Sequence, residues 1–146
     1  MNTEAIELLL VEDNPADEEL TLHVLEKNNL ANRIHVVRDG VEAVEFLFEN
    51  SGTIPRLILL DLKLPRLSGL EVLARIKQDA RTRKIPVVVL TSSREDVDLN
   101  TCYELGVNSY IVKPVDFIQF TESIRQLGLY WLLFNEPARA YNQQRA

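Results

Sequence analysis

The sequence predicts an α/β domain built on a doubly wound, five-stranded parallel sheet with helices on both faces. Five short and almost wholly apolar runs alternate with five longer segments in which apolar residues recur at helical spacing. Runs this apolar suit strands that are buried on both faces, as in parallel sheets. Because crossover connections are right-handed, strict alternation of strand and helix places helices on both sides of one sheet.

The first strand is predicted at residues 6–11 (IELLLV), a run too short and too apolar for a surface helix. Pro15 then opens a helix, and the carboxylates that follow it complement the positive charge of a helix N-terminus. Helical spacing directs Leu20, Val24 and Leu25 of this helix towards the core.

The second and third strands are predicted at Ile34–Val37 and at residues 57–60, and a helix follows each of them. Asp39 and Gly40 signal the turn into the second helix. The loop after the third strand reaches Gly69, where the third helix begins. Apolar residues at helical spacing give both helices one face towards the sheet.

The last two strands are predicted at residues 87–90, introduced by Pro86, and at Ser109–Val112. Between them, Ser93 or its neighbour caps a fourth helix, which Gly106 terminates. The fifth helix is predicted to turn its large apolar side chains inward: Phe117, Phe120, Ile124 and Leu127.

Length and charge limit the functional classes. The 146 residues allow one well-buried core, which we expect to be a single domain at residues 1–129 with a C-terminal extension at 130–146 and no output domain. A net charge of −6 disfavours direct binding to nucleic acid. With a single cysteine, no signal peptide and no apolar run of about 20 residues, we expect a cytoplasmic protein without a membrane span.

Chemically useful side chains directly follow the predicted strands. Carboxylates follow the first and third strands, a hydroxyl follows the fourth and an ammonium follows the fifth. In open parallel sheets, ligands bind beyond the carboxyl ends of the strands, so these groups are expected to share one cleft. The residues are Glu12, Asp13, Asp61, Thr91 and Lys113.

Three carboxylates in one cleft require a positive partner, because two unit charges about 4 Å apart repel by about 4 kcal/mol at an effective dielectric of about 20. Lys113 balances part of this charge, and hard oxygen ligands beside a phosphate suit Mg²⁺, with Mn²⁺ as a possible substitute. Asp61 is then the best candidate nucleophile for phosphorus, with the metal and Lys113 neutralising the transferred oxygens. Thr91 is the candidate that donates a hydrogen bond to the phosphoryl group and so senses it.

At these residues the sequence closely resembles the receiver domain of two-component response regulators, over about residues 7–129. Four signatures carry the resemblance, in the family's order and at predicted strand ends. They are VEDN at 11–14, DLKLPRLSG at 61–69, TS at 91–92 and YIVKP at 110–114.

The resemblance implies a flavodoxin-like, CheY-like receiver fold with strand order 2-1-3-4-5. It implies Asp61 as the phosphoacceptor, and Asp61, Asp13 and the backbone carbonyl of Lys63 as Mg²⁺ ligands. Glu12, which stands where the family often has Asp, would act mainly through water. Thr91 and Lys113 would contact the phosphoryl group, Tyr110 would be the rotating aromatic of the switch, and the Lys113-Pro114 peptide bond would be cis.

The resemblance also implies partners. The opening VEDNPAD, the LGLYWLLFNEP segment and the expected lack of an output domain resemble the small single-domain regulators that pair with bacterial phytochrome histidine kinases. A sensor histidine kinase would supply the phosphoryl group, because nothing in the sequence resembles a nucleotide-binding loop. The apolar residues 129–134 further suggest a homodimer formed through the fourth helix, fifth strand, fifth helix and C-terminal segment.

Two other functions remain open at this stage. A Mg²⁺-dependent phosphatase also uses an aspartate nucleophile on a doubly wound sheet, but it places a second Asp two residues later, where this chain has Lys63. A flavodoxin-like FMN protein would need a phosphate beside Glu12 and Asp13, which repel it. On the leading hypothesis the protein is not an enzyme, beyond weak self-phosphorylation and self-hydrolysis. His23, His35 and Cys102 have no partner pattern and receive no chemical role.

Overall fold

The structure is a computed structural model that describes residues 8–28, 30, 33–49, 54–92, 98–107 and 109–129, with backbone alone at 98 and 99. The extension at 130–146, the proposed cap Ser93 and the first two residues of the predicted first strand lie outside these ranges. No helix in the described ranges is both long enough and apolar enough to cross a membrane.

Five strands form one wholly parallel sheet in the order β2-β1-β3-β4-β5, which confirms the predicted fold and strand order. Three central strands are buried along their whole length, as their apolar sequences predict. The strands are β1 (Leu8–Val11), β2 (Ile34–Val37), β3 (Leu57–Asp61), β4 (Val87–Thr91) and β5 (Ser109–Val112).

A helix follows each strand, and polar side chains cap most of the N-termini. Asn14 caps the first helix by accepting the Asp17 N–H, and Ser68 and Glu71 form a capping box on the third. The helices are α1 (Pro15–Lys27), α2 (Gly40–Phe48), α3 (Gly69–Gln78), α4 (Asp98–Glu104) and α5 (Phe117–Leu127).

The sheet separates two apolar cores. Alternate residues of β1 point to opposite faces of the sheet. Leu9 and Val11 pack in one core with residues of α2 and α3. Leu8 and Leu10 pack in the other core with Leu25 of α1 and residues of α5. Both cores consist of side chains with little or no exposed surface. This double burial fixes the backbone that carries the polar residues at the strand ends.

Two inward predictions are wrong. Leu20 is 48% exposed, because α1 buries the face centred on Thr21 and Leu25, which lies to one side of Leu20. Phe117 is 46% exposed, because it is the first residue of α5 and precedes the buried Phe120 by one turn. Helical spacing identified the right helices but placed these two side chains on the wrong side of the boundary with solvent.

Candidate functional site

The predicted site residues follow neighbouring strands at one edge of the sheet. Val11 of β1 pairs with Leu60 of β3, so Glu12 and Asp61 come next on adjacent strands. Thr91 of β4 pairs with Val112 of β5, so Lys113 comes one residue beyond that pair. The strand order therefore brings together residues that lie up to 101 positions apart in the chain.

Lys113 is the centre of the site. Its Nζ donates hydrogen bonds to Asp61 Oδ2 at 2.9 Å, to Glu12 Oε2 at 3.1 Å and to Asp17 Oδ2 at 3.1 Å. An ammonium has three N–H donors, and each of the three has a carboxylate acceptor here. The structure thus confirms that Glu12, Asp61 and Lys113 share one cleft, and it adds Asp17.

The sequence pattern does not single out Asp17 as a site residue, because an acid in the first turn of a helix is typical of any helix start. The side chain reaches Lys113 because Asp17 lies in the first turn of α1, immediately after the loop that leaves β1 beside Glu12. A signal was present, since the start of a helix that follows a central strand faces the same edge of the sheet as the strand ends. The pairing with Lys113 itself depends on tertiary structure.

The buried acid of the site is Glu12, whose side chain is fully buried. The pKa of Glu12 is raised to about 7. Burial is the largest cause, the hydrogen bond and charge of Asp61 add to it, and Lys113 opposes both effects. The single ammonium of Lys113 therefore does not offset the burial of Glu12 and the charge of Asp61 together.

Lys113 responds in the opposite way. Burial by itself would lower the pKa of this ammonium, but the hydrogen bonds and charges of Asp61 and Glu12 outweigh that effect and raise its pKa above the ordinary value. Lys113 is therefore held in its charged form at every physiological pH.

The residues fit a divalent metal ion. One carboxylate oxygen from each of Glu12, Asp13 and Asp61 lies within 4.8 Å of the other two. Glu12 Oε1 is buried and lies 3.0 Å from Lys113 Nζ, yet it receives no hydrogen bond of acceptable geometry from the described residues. A buried oxygen left in this state is costly, and a hard cation or a water bound to one would satisfy it. Asp13 is exposed, so its carboxylate is open to such an ion.

The loop after Asp61 packs closely around it. The Lys63 N–H donates to Asp61 Oδ1 at 3.1 Å, and the Gly69 N–H donates to Leu62 O at 2.9 Å. A Cβ atom added at Gly69 would overlap the carbonyl oxygen of Asp61. The start of α3 thus approaches the acidic strand end as closely as backbone atoms allow, and only glycine fits there.

The remaining predicted residues lie in two surroundings. Thr91 is buried at the end of β4, beside the β5 strand that leads to Lys113. Tyr110 is half-buried on β5, and its ring meets that of Tyr103 edge-on with centroids 6.4 Å apart. The Lys113-Pro114 peptide bond is cis, as the resemblance implied.

Comparison with known proteins agrees with this geometry. The family model of the response regulator receiver domain matches residues 8–125. The probable methanogenesis regulatory protein FilR2 of Methanothrix harundinacea is 43% identical over 131 residues, which cover 88% of this chain and 84% of that protein.

Two solved structures extend the likeness to three dimensions. The bacteriophytochrome response regulator AtBRR is 53% identical with a TM-score of 0.81, over 91% of this chain and 99% of that one. The Mn²⁺-bound form of the response regulator Rcp1 is 41% identical with a TM-score of 0.70, over 87% and 94% of the two chains. With the acidic cleft, the strand order and these likenesses in agreement, the chain belongs to the response regulator receiver domain family of two-component signalling proteins.

Proposed function

We propose that the protein accepts a phosphoryl group on Asp61 from a phosphohistidine of a sensor histidine kinase, in the presence of Mg²⁺, and signals by the change in its surface. The observation that carries this proposal is the contact of Asp61 with Lys113 inside a cluster of carboxylates. Burying such a cluster of charges is costly, and the stability of the fold does not require it. Phosphoryl transfer is a reaction that needs charged groups positioned in this way.

In the proposed transfer, a carboxylate oxygen of Asp61 attacks phosphorus and forms an acyl phosphate. The bond from phosphorus to the imidazole nitrogen of the donor breaks, and the imidazole leaves with that electron pair. Lys113, held protonated beside Asp61, offsets the negative charge of the transferred oxygens. Thr91 is proposed to donate a hydrogen bond to the phosphoryl group, and Tyr110 to follow the movement of Thr91.

The proposed metal ligands are Asp13, Asp61 and the backbone carbonyl of Lys63, with Glu12 bound mainly through water. When bound, Mg²⁺ supplies the positive charge that the three-carboxylate cluster lacks and neutralises phosphoryl oxygens. Mn²⁺ is a proposed substitute, in line with the Mn²⁺ named for the similar Rcp1 structure.

The test is incubation with acetyl phosphate and Mg²⁺, followed by intact mass measurement. Wild-type protein should gain the mass of one phosphoryl group, and Asp61→Asn should gain none because an amide oxygen is a poor nucleophile. Asp79→Asn is the matched control, since Asp79 pairs with Arg81 on the surface near the far end of α3. It should label like the wild type.

Equal labelling of the wild type and Asp61→Asn would refute Asp61 as the acceptor. Turnover of many equivalents of a generic phosphate ester would instead favour the aspartate-nucleophile phosphatase. The present support for the first function over the second is Lys63, which occupies the position where such phosphatases carry their general acid.

The upstream partner is proposed to be a phytochrome-type histidine kinase, on the likeness to AtBRR. We also propose a homodimer formed through α4, β5, α5 and the C-terminal segment. Within the described part of that surface, Tyr103 is 47% exposed beside Tyr110. The C-terminal segment at 130–146 lies outside the described residues, so its part in the dimer stays a prediction.

A further inference from the structure

The three hydrogen bonds of Lys113 leave no donor for a fourth acceptor. Each N–H of the ammonium is directed to a different carboxylate, from Glu12, Asp17 and Asp61. If Lys113 is to contact an incoming phosphoryl oxygen, as the proposed function requires, one of these bonds must break first. Which bond breaks is decided by what each carboxylate loses when it is released.

The three carboxylates differ in their access to water. The side chain of Glu12 is fully buried, that of Asp61 is 7% exposed and that of Asp17 is 29% exposed. A released carboxylate must replace the ammonium by water, and a buried one cannot do so without a penalty. Asp17 is therefore the partner whose release costs least. Its backbone is fixed meanwhile, because the Asp17 N–H donates to Asn14 Oδ1 at 3.0 Å in the helix cap.

We propose that Asp17 is a positioning residue that occupies the third N–H of Lys113 in the unphosphorylated protein and yields it to a phosphoryl oxygen. This inference rests on the proposed function, and it assigns Asp17 no contact with the phosphoryl group. Asp17 thereby restrains transfer in two ways. It competes for Lys113, and it adds a negative charge at the mouth of the cleft, where an anionic donor must enter.

The expected effect of removing the Asp17 charge is a gain in the rate of phosphorylation. Removing the charge of Asp17 should make the protein a better phosphoacceptor, whereas the loss of a residue that merely holds the cleft together should make it a worse one. The size of the gain is limited because the ion pair is partly exposed, and pairs of that kind change equilibria by about fivefold or less.

The experiment compares Asp17→Asn with the wild type in labelling by acetyl phosphate at saturating Mg²⁺, with the Mg²⁺ affinity measured separately. In this donor the bond from phosphorus to the acetate oxygen breaks, acetate leaves with the electron pair, and an Asp61 oxygen forms the new bond. We expect the apparent second-order rate constant to rise about three- to fivefold. Asp17→Glu, which restores the charge on a longer arm, should return the rate towards that of the wild type.

A second phosphoryl donor distinguishes the effect of the Asp17 charge from a structural effect of the substitution. Phosphoramidate carries less net negative charge than acetyl phosphate at neutral pH, so the gain in Asp17→Asn should be smaller with it. Asp79→Asn is again the control, because the side chain of Asp79 is 30% exposed and ion-paired like that of Asp17, but at Arg81. This variant should show no gain with either donor.

A rate for Asp17→Asn equal to or below that of the wild type with acetyl phosphate would overturn the inference. An equal gain with both donors would support the competition for Lys113, which acts on the transferred group whatever the donor, and would contradict the added repulsion by the Asp17 charge. These results would leave the proposed function intact, provided that the wild type is labelled at Asp61. Failure of the wild type to label at all would instead contradict the proposed function.

Discussion

Two lysines of this protein are both partly buried and have opposite electrostatics. Lys113 lies at the carboxyl edge of the sheet among carboxylates, and its pKa is raised. Lys77 of α3 donates to two backbone carbonyl oxygens, those of Arg83 and Ile85, at 3.2 and 3.1 Å. Burial lowers the pKa of Lys77, and no carboxylate among the described residues is identified that offsets the effect.

The difference shows what distinguishes the site from an ordinary buried cation. Neutral carbonyls satisfy the hydrogen bonds of Lys77 but leave the cost of taking its charge out of water. The carboxylates around Lys113 repay that cost, and they carry an excess of negative charge that a metal ion can balance. Burial is common to both lysines, and the charge of the neighbours determines which of them suits the proposed phosphoryl transfer.

The largest expected effect comes from removing each ammonium in turn. Lys113→Ala should lower the rate of phosphorylation of Asp61 by acetyl phosphate at least ~100-fold, because one charged donor to the transferred oxygens is lost. Lys77→Ala should leave the rate close to that of the wild type. Phosphoryl incorporation followed by mass against time measures both, and similar losses in the two variants would break the comparison.

A smaller effect is expected from changing Glu12, the most buried of the three acids that contact Lys113. Glu12→Gln keeps the shape of the side chain but removes one carboxylate from the acidic cluster proposed to hold the ion, so the affinity for Mg²⁺ should fall about 10- to 100-fold. Titration calorimetry measures this affinity. The control is Glu122→Gln, which removes one charge from an exposed pair with Arg125 and should bind Mg²⁺ like the wild type. Unchanged affinity in Glu12→Gln would mean that Glu12 has no part in holding the ion.

The smallest effect is a difference in the pH dependence of stability. The lowered pKa of Lys77 means that the unfolded chain binds more protons than the native one as pH rises towards 10.5, the ordinary lysine value. The free energy of unfolding of the wild type should therefore rise relative to that of Lys77→Met between pH 8 and 10.5. The raised pKa of Lys113 has the opposite sign, with its stabilisation fully present below 10.5 and lost only at higher pH.

Urea unfolding across this pH range measures both differences. The difference in the free energy of unfolding between the wild type and Lys113→Met should stay constant over the same interval, so each variant is the control for the other. Parallel slopes for the two pairs would show that the surroundings of the two lysines are electrostatically alike, which would contradict the comparison.

The sheet and most of the cleft could be predicted from local patterns, because strand burial and the polar residues after each strand are visible in the sequence. The strand order, by contrast, came from the resemblance to the receiver family. Glu12, Asp61 and Lys113 come together as expected. Asp17 was missed because helical spacing shows only which residues of one helix share a face, whereas its partner Lys113 lies 96 residues away in the chain. Leu20 and Phe117 were placed inward because periodicity defines a face of a helix, while the neighbouring elements decide where that face meets water.

The packing at Gly69 has a consequence for anyone who redesigns this protein. The backbone of β3 at Asp61 and the first turn of α3 occupy adjoining space, and a single hydrogen atom of Gly69 is all that separates them. The carbonyl group of Asp61 can therefore occupy its position only because Gly69 has no side chain. Changes of side chain around the cleft can tune its chemistry, but a methyl group added at this contact would force α3 and β3 apart.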